Sequence, residues 1–238
     1  MMLPRFFYDG SISTNAPIAL PDATSHHLAR VLRLSTNDRI ILFNGLGGEY
    51  ECKIQALGKK RVDVLPESFS NTNRTSPLKI HLGISVLKKD AMDRVIAKST
   101  EMGVETITPV IAERSTVAKK VISNRHAHWQ QVIVSACEQC GLNIIPTLDP
   151  ATSLQEYLKS AGAEIKLISL GSGQRFEPES PTKNVALLVG PEGGFAQHEI
   201  LDAQASGFSA VKFGPRVLRA ETAPIVAVSA LRYALEEE

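Results

Sequence analysis

Two glycine-bearing segments near the end of the chain constrain its fold more than any other feature. Residues 185–195 read VALLVGPEGGF and residues 213–223 read FGPRVLRAETA. Each follows an apolar run of the kind that forms a buried strand, 185–189 and 208–213. Each precedes an amphipathic stretch, starting near Gln197 and near Glu221. A strand that leads into a glycine-rich turn and then a helix is a unit of an open parallel sheet. Two such units in succession place backbone amides and positions without side chains at the carboxyl ends of neighbouring strands, where these sheets bind small polar ligands. This end of the chain is expected to hold a cofactor.

The rest of the chain divides by pattern. Residues 1–70 read as all-β, with short runs at 39–43 (RIILF), 50–57 (YECKIQAL) and 61–65 (RVDVL). Asn44-Gly45 with Gly47-Gly48 supplies a turn, and 25–34 (SHHLARVLRL) is a short helical piece. Residues 71–77 are polar and turn-prone and read as a linker. From 78 to 238 strands and helices alternate, which predicts an α/β domain with a parallel sheet. Residues 78–87 alternate at period two, and 90–102 place Met92, Val95, Ile96, Ser99 and Met102 on one helical face that Gly103 ends. A strand at 107–111, a helix at 124–140 and a strand at 165–170 followed by Gly171-Ser172-Gly173 come next. The last helix is expected over 222–235, with Pro224 tolerated in its first turn.

Composition excludes several classes. The chain has 238 residues, 43% of them hydrophobic, and a formal net charge of +1, so bulk charge does not announce a nucleic-acid binder. Any such role must rest on local patches. No apolar run approaches the roughly 18–20 residues needed to span a bilayer. The start of the sequence lacks a signal-peptide pattern, so a cytoplasmic protein is expected. Cys52, Cys137 and Cys140 make an odd count without an export signal, which argues against a disulfide framework. The CEQC at 137–140 has no second ligand pair for zinc, so no metal is expected, and it closes a helix where a redox pair usually opens one. Both thiols are expected to serve packing.

The glycine motifs are not those of nucleotide sites. GPEGG lacks the Gly-Lys-Ser/Thr of a phosphate-binding loop and does not match GxGxxG. Taken alone it reads equally as a tight turn in which Gly193 and Gly194 supply positive φ. GPRVLRAETA carries more chemistry, since Arg216, Arg219 and Glu221 sit within six positions beside the apolar pair Val217-Leu218. Its plainer reading pairs Arg219 with Glu221, which also favours a helix start.

The runs KKDAMDRVIAKSTEMGVETITPVIAERS, ACEQCG, LLVGPEGGF and FGPRVLRAETA, in that order and preceded by SHHLARVLRL, resemble the bacterial 16S ribosomal RNA N3-methyluridine methyltransferases of the SPOUT superfamily. The resemblance spans essentially the whole chain. It implies a small PUA-like β-barrel followed by an α/β domain with a C-terminal trefoil knot, S-adenosylmethionine as cofactor, and a homodimer acting on 16S RNA of the small ribosomal subunit. It assigns the cofactor to Leu170, Gly171, Gly190, Pro191, Glu192, Gly193, Gly194, Phe213, Gly214 and Leu218, and places Arg219 and Glu221 near the methyl group as catalytic candidates. Ala220 departs from the Thr frequent in the family, and Leu142 stands where Arg is common after CEQCG.

Together with the resemblance, a basic face at His27, Arg30 and Arg33, spaced i, i+3 and i+6, predicts an RNA grip, with Arg5 on the preceding strand and the residues toward the barrel to be found among Val31, Leu32 and Leu34. Taken alone, that face reads as solvated. Lys88, Lys89 and Arg94 form a second basic patch at a helix start, where cations oppose the dipole without evident structural gain. The implied chemistry removes a proton from uracil N3 while charge develops on its carbonyls; Arg219 is the expected partner for that charge and Glu221 a candidate base. Three alternatives stay open: a SPOUT enzyme acting on ribose or transfer RNA, a non-enzymatic assembly factor that keeps the site as scaffold, and a nicotinamide oxidoreductase, disfavoured by the missing GxGxxG.

Overall fold

The computed structural model describes residues 3–58, 61–117, 122, 124–177 and 182–236, with the Lys89 side chain left out. The chain forms two compact units, Met1–Thr75 with Cys137–Ile145, and Ser76–Ala136 with Pro146–Glu238.

The first unit is a five-stranded sheet in the order β1 (Arg5–Phe7), β3 (Arg39–Phe43), β4 (Glu49–Leu57), β5 (Val62–Ser70), β2 (Ile18–Ala19). β1 runs parallel to β3 and the other pairs are antiparallel. Period-two alternation sends Ile40, Leu42, Cys52, Ile54, Val62 and Val64 into one core. The turn between β3 and β4 holds Gly45, Gly47 and Gly48 at φ of 81°, 96° and 67°, which the sequence's Asn-Gly and Gly-Gly pairs anticipate.

The helical piece departs from expectation. A short helix α1 (Asp22–His26) passes into a π-helical turn, His27–Val31, and Arg33 takes a left-handed φ of 53°. The wider turn rotates the residues after Leu28. Leu28 is the one buried in the core, Leu34 packs partly against it, and Val31 and Leu32 are 62% and 38% exposed. The inward placement of Val31 and Leu32, and the shared face that extended to Arg33, are thus corrected.

The unit also takes in a remote segment. The Arg5 guanidinium donates to Glu49, to the Gly141 carbonyl and to Asn143 Oδ1, lies 5.2 Å from the Phe43 ring centre, and is 7% exposed. Arg74 donates to Glu49 and to the same Gly141 carbonyl. Asn143 Nδ2 donates to the Thr72 carbonyl at 2.8 Å, and Glu138 accepts from the Phe7 amide at 2.9 Å. Residues read as a linker at 71–77 therefore include two that are fastened to the first unit. Burial opposes the Glu49 carboxylate, but hydrogen bonds from Arg74 and Arg5 outweigh it and hold its pKa at about 2.

The second unit is an all-parallel sheet of seven strands: β6 (Lys79–Ser85), β7 (Thr106–Ile111), β8 (Thr147–Leu148), β9 (Thr152–Ser153), β10 (Ile165–Arg175), β11 (Asn184–Val189) and β12 (Ser209–Lys212). Their order is β12-β10-β11-β6-β7-β8, with β9 also on β7. The central strands are buried on both faces, as their continuous apolar runs require. Its helices among the described residues are α2 (Lys89–Glu101), α3 (His126–Cys140, of which Cys137–Cys140 count with the first unit), α4 (Leu154–Ser160), α5 (Gln197–Ala205) and α6 (Ala223–Leu235). Met92, Val95, Ile96 and Ser99 of α2 are buried as one face, and Arg232 of α6 donates to the Met102 and Gly103 carbonyls at its end. Helix α4 was not read from the sequence; a Ser153–Glu156 capping box starts it.

β10 does not stop at Leu170. It continues through Gly171-Ser172-Gly173 to Arg175, and its pairing with β12 shifts register between Ser169 and Gln174. The reason is steric: a Cβ on Gly173 would come within 2.5–2.7 Å of the Val211 backbone, so glycine here permits a close crossing of two chains.

Candidate functional site

The middle of β10, where its register on β12 shifts, and the carboxyl ends of β11 and β12 open onto one cavity of about 200 Å³. β10 contributes Ser169, Leu170 and Gly171. The turn after β11 contributes Gly190, Pro191, Glu192, Gly194 and Phe195. The segment after β12 contributes Phe213, Gly214, Arg216, Val217 and Leu218, and Lys212 and Ala220 also line it. Nine of the ten expected cofactor residues face this one space; Gly193 does not, and its carbonyl instead accepts from Arg114 at 3.1 Å.

Local sequence explains the shape. The Gly194 amide closes a turn onto the Pro191 carbonyl at 2.9 Å with φ of 66°, a conformation that glycine adopts without penalty. Gly193 does not share that positive φ. A Cβ on Gly190 would press on the Phe195 ring at 3.0 Å, so glycine lets that buried ring lie beneath the turn. At Gly171, Gly194 and Gly214 a Cβ would meet no atom within 4 Å, which leaves the cavity wide at three points. The lining is thus mixed. Leu170, Val189, Pro191, Phe195, Phe213 and Leu218 offer apolar surface, glycine backbones offer amides and carbonyls, Glu192 a carboxylate, and Lys212 and Arg216 cations.

The catalytic candidates lie beside the cavity and do not line it. Arg219 is exposed, and its carbonyl accepts from the Thr222 and Ala223 amides at the start of α6. Glu221 is 23% exposed with Arg94 3.7 Å away. The structure joins Arg94, expected as an RNA contact, to Glu221. The expected pairing of Arg219 with Glu221 is replaced by that with Arg94.

Of the other basic residues, His27, Arg30, Arg33 and Lys88 are exposed, and the Lys89 side chain falls outside the described residues. Arg5 is corrected: its donors are directed inside the first unit, which leaves it no free face for RNA. The Cys137 thiol is fully buried and pushed up to about 12 by that burial, which suits packing.

Sequence reasoning missed Arg216 as a lining cation, together with Lys212 and Phe195. It also missed Glu199, a buried carboxylate that accepts from the Glu113 and Ala196 amides at 2.8 and 2.9 Å. Arg216 was legible in its motif; Glu199 stands in an unremarkable helical stretch.

Comparison with known proteins agrees on both units. A family described as an RNA methyltransferase domain matches residues 74–232, and one described as an RNA methyltransferase PUA domain matches 20–67. The ribosomal RNA small subunit methyltransferase E of Buchnera aphidicola (subsp. Schizaphis graminum) is 34% identical over 97% of this chain and 96% of its own. That of Bacillus subtilis is 31% identical over 89% and 88%. Among solved structures, a methyltransferase of Legionella pneumophila in complex with the bound cofactor SAM has a TM-score of 0.94 at 37% identity, with both chains fully covered. The ribosomal RNA small subunit methyltransferase E of Neisseria gonorrhoeae, bound to S-adenosyl methionine, has a TM-score of 0.92 at 35% identity over 98% of each chain.

Proposed function

Because the chain belongs to the RNA methyltransferase family, as a relative of the ribosomal RNA small subunit methyltransferases E, we propose that it transfers a methyl group from S-adenosylmethionine to N3 of one defined uridine in the 16S RNA of the small ribosomal subunit. The observation that carries the reading is the cavity shared by the middle of β10 and the segments that follow β11 and β12.

The lining fits the cofactor. Apolar walls at Leu170, Phe195, Phe213 and Leu218 suit a flat base, and backbone amides and carbonyls suit its polar edge. Lys212 and Arg216 suit a carboxylate, and Glu192 a cation. When bound, S-adenosylmethionine supplies an electrophilic methyl group on a cationic sulfur. The chain's own residues have three tasks. The loops after β11 and β12 hold the donor in place and exclude water around it. Arg219, exposed beside the cavity, meets negative charge that develops on the uracil carbonyls. Glu221, 3.7 Å from Arg94, is proposed as the acceptor of the N3 proton. The uridine enters unpaired, since N3 is engaged in duplex RNA.

The first unit delivers RNA to this site. Exposed Arg30 and Arg33 flank exposed Val31 and Leu32 at the end of the π-helical turn, so cations for phosphates adjoin apolar surface for bases. His27 adds to this basic surface, and in the second unit exposed Lys88, with Lys89 next to it in sequence, is proposed as a separate RNA contact. In the second unit the family's trefoil knot is proposed for β10 to α6. The close crossing of Gly173 over Val211 and the placement of β12 beyond β10 support it. A homodimer is proposed through α6. This helix buries Ala227, Val228, Leu231 and Leu235 yet leaves Tyr233 94% exposed. Among the described residues no helix is long and apolar enough to cross a membrane. The place of work is the cytoplasm, where ribosomal subunits are made.

Calorimetric titration tests the cofactor assignment. S-adenosylmethionine is expected to bind one site per chain, and NAD to give no heat. Binding of NAD without S-adenosylmethionine would return the chain to the oxidoreductase alternative.

A further inference from the structure

The turn that floors the cavity, residues 190–196, is fastened from outside by two consecutive residues that follow β7. Glu199 occupies the third position of α5 and is 6% exposed. In a capping box such a carboxylate serves its own helix, answered by a Ser or Thr at the N-cap. Here the N-cap is Ala196, whose side chain has no acceptor, so only half of that exchange exists. Glu199 Oε2 accepts from the Ala196 amide at 2.9 Å, and Oε1 accepts from the Glu113 amide at 2.8 Å. One residue on, Arg114 Nη1 donates to the Gly193 carbonyl at 3.1 Å, and its Cβ and Cδ lie 3.4 and 3.6 Å from where a Gly193 side chain would begin. Neither Glu199 nor Arg114 lines the cavity.

We propose that Glu199 and Arg114 are positioning residues for the cofactor: a buried carboxylate and a surface guanidinium that clamp the turn after β11 at Ala196 and Gly193, and so hold Gly190, Pro191, Glu192 and Gly194 in their binding conformation before the ligand arrives. The argument is one of preorganisation. A turn fixed in the free protein loses less conformational freedom on binding. Hydrogen bonds to a buried carboxylate are among the stronger ones. The inference rests on the cofactor reading of the cavity.

The test measures S-adenosylmethionine affinity and steady-state kinetics for the whole protein and for Glu199→Gln, Arg114→Met and Arg114→Lys. Glu199→Gln presents one carbonyl oxygen where two oxygens now accept. Its cofactor Kd and KM are expected to rise about tenfold, the scale set by one lost bond to a charged group, while KM for RNA stays unchanged. Arg114→Met, an exposed change that leaves the core intact, is expected to raise Kd several-fold, and Arg114→Lys, which retains a donor, to recover part of the loss. Wild-type binding with equal affinity in Glu199→Gln and Arg114→Met overturns the inference alone. So does a parallel rise in both KM values together with a lower Tm, which marks general destabilisation. Absence of cofactor binding by the wild-type protein overturns the function proposed above, and this inference with it.

Discussion

In the function proposed above, Arg219 is the side chain that bears most on the chemistry. It is exposed beside the cavity, and its carbonyl is held by the amides that start α6, which leaves its guanidinium toward solvent. Arg219→Ala is expected to lower kcat by about 100-fold or more, the scale of losing one donor to developing negative charge, with the cofactor Kd unchanged. Full turnover at saturating cofactor would remove Arg219 from the mechanism. At this scale the glycines were legible, because positions such as Gly190 and Gly194 answer local demands of turn and clearance that a motif displays. Arg5 was not. Its partners lie 44, 136 and 138 residues away, and a bond between single remote side chains leaves no periodic trace in the sequence.

Elements were read best where pattern and period agree. Strands β6, β7, β11 and β12, the buried face of α2 and the entry of Pro224 into α6 follow from apolar runs, a 3.6-residue stripe and proline's fixed φ. Helix α4 and the two-residue strands β2, β8 and β9 escaped, as did two further features. The π-helical turn at His27–Val31 depends on one extra residue per turn, which no apolar spacing distinguishes from an ordinary helix. The extension of β10 past Gly171-Ser172-Gly173 depends on β12 passing close by, a tertiary demand that local glycines disguise as a loop. The segment Cys137–Ile145 belongs to the first unit through a cluster centred on Glu49, which gives that cluster a pH signature. The Glu49 pKa lies at about 2 in the folded chain against an ordinary 4.5, so it is depressed on folding. Its stabilising contribution is complete above pH 4.5 and declines as pH falls from there through 2. Thermal unfolding of the wild type and of Glu49→Gln should differ most above pH 4.5 and converge toward pH 2. A constant difference across that range would show that Glu49 is not held ionised by Arg5 and Arg74.

For the whole molecule, two units of different construction are joined in one chain. One presents an exposed basic and apolar turn, and the other encloses a cavity at the ends of parallel strands. The PUA family matches within the first and the methyltransferase family covers most of the second, and the function proposed above gives RNA delivery to one and cofactor retention to the other. The order of the two was legible from the change of pattern near residue 77, because all-β and alternating sequences differ over tens of residues. The most direct test supplies the protein with labelled S-adenosylmethionine and small ribosomal subunits from cells that lack the modification, then digests the RNA and identifies the product by mass spectrometry. The account predicts label in 16S RNA alone, as N3-methyluridine at one site. Label on a ribose hydroxyl or in transfer RNA, or no transfer despite bound cofactor, would contradict it.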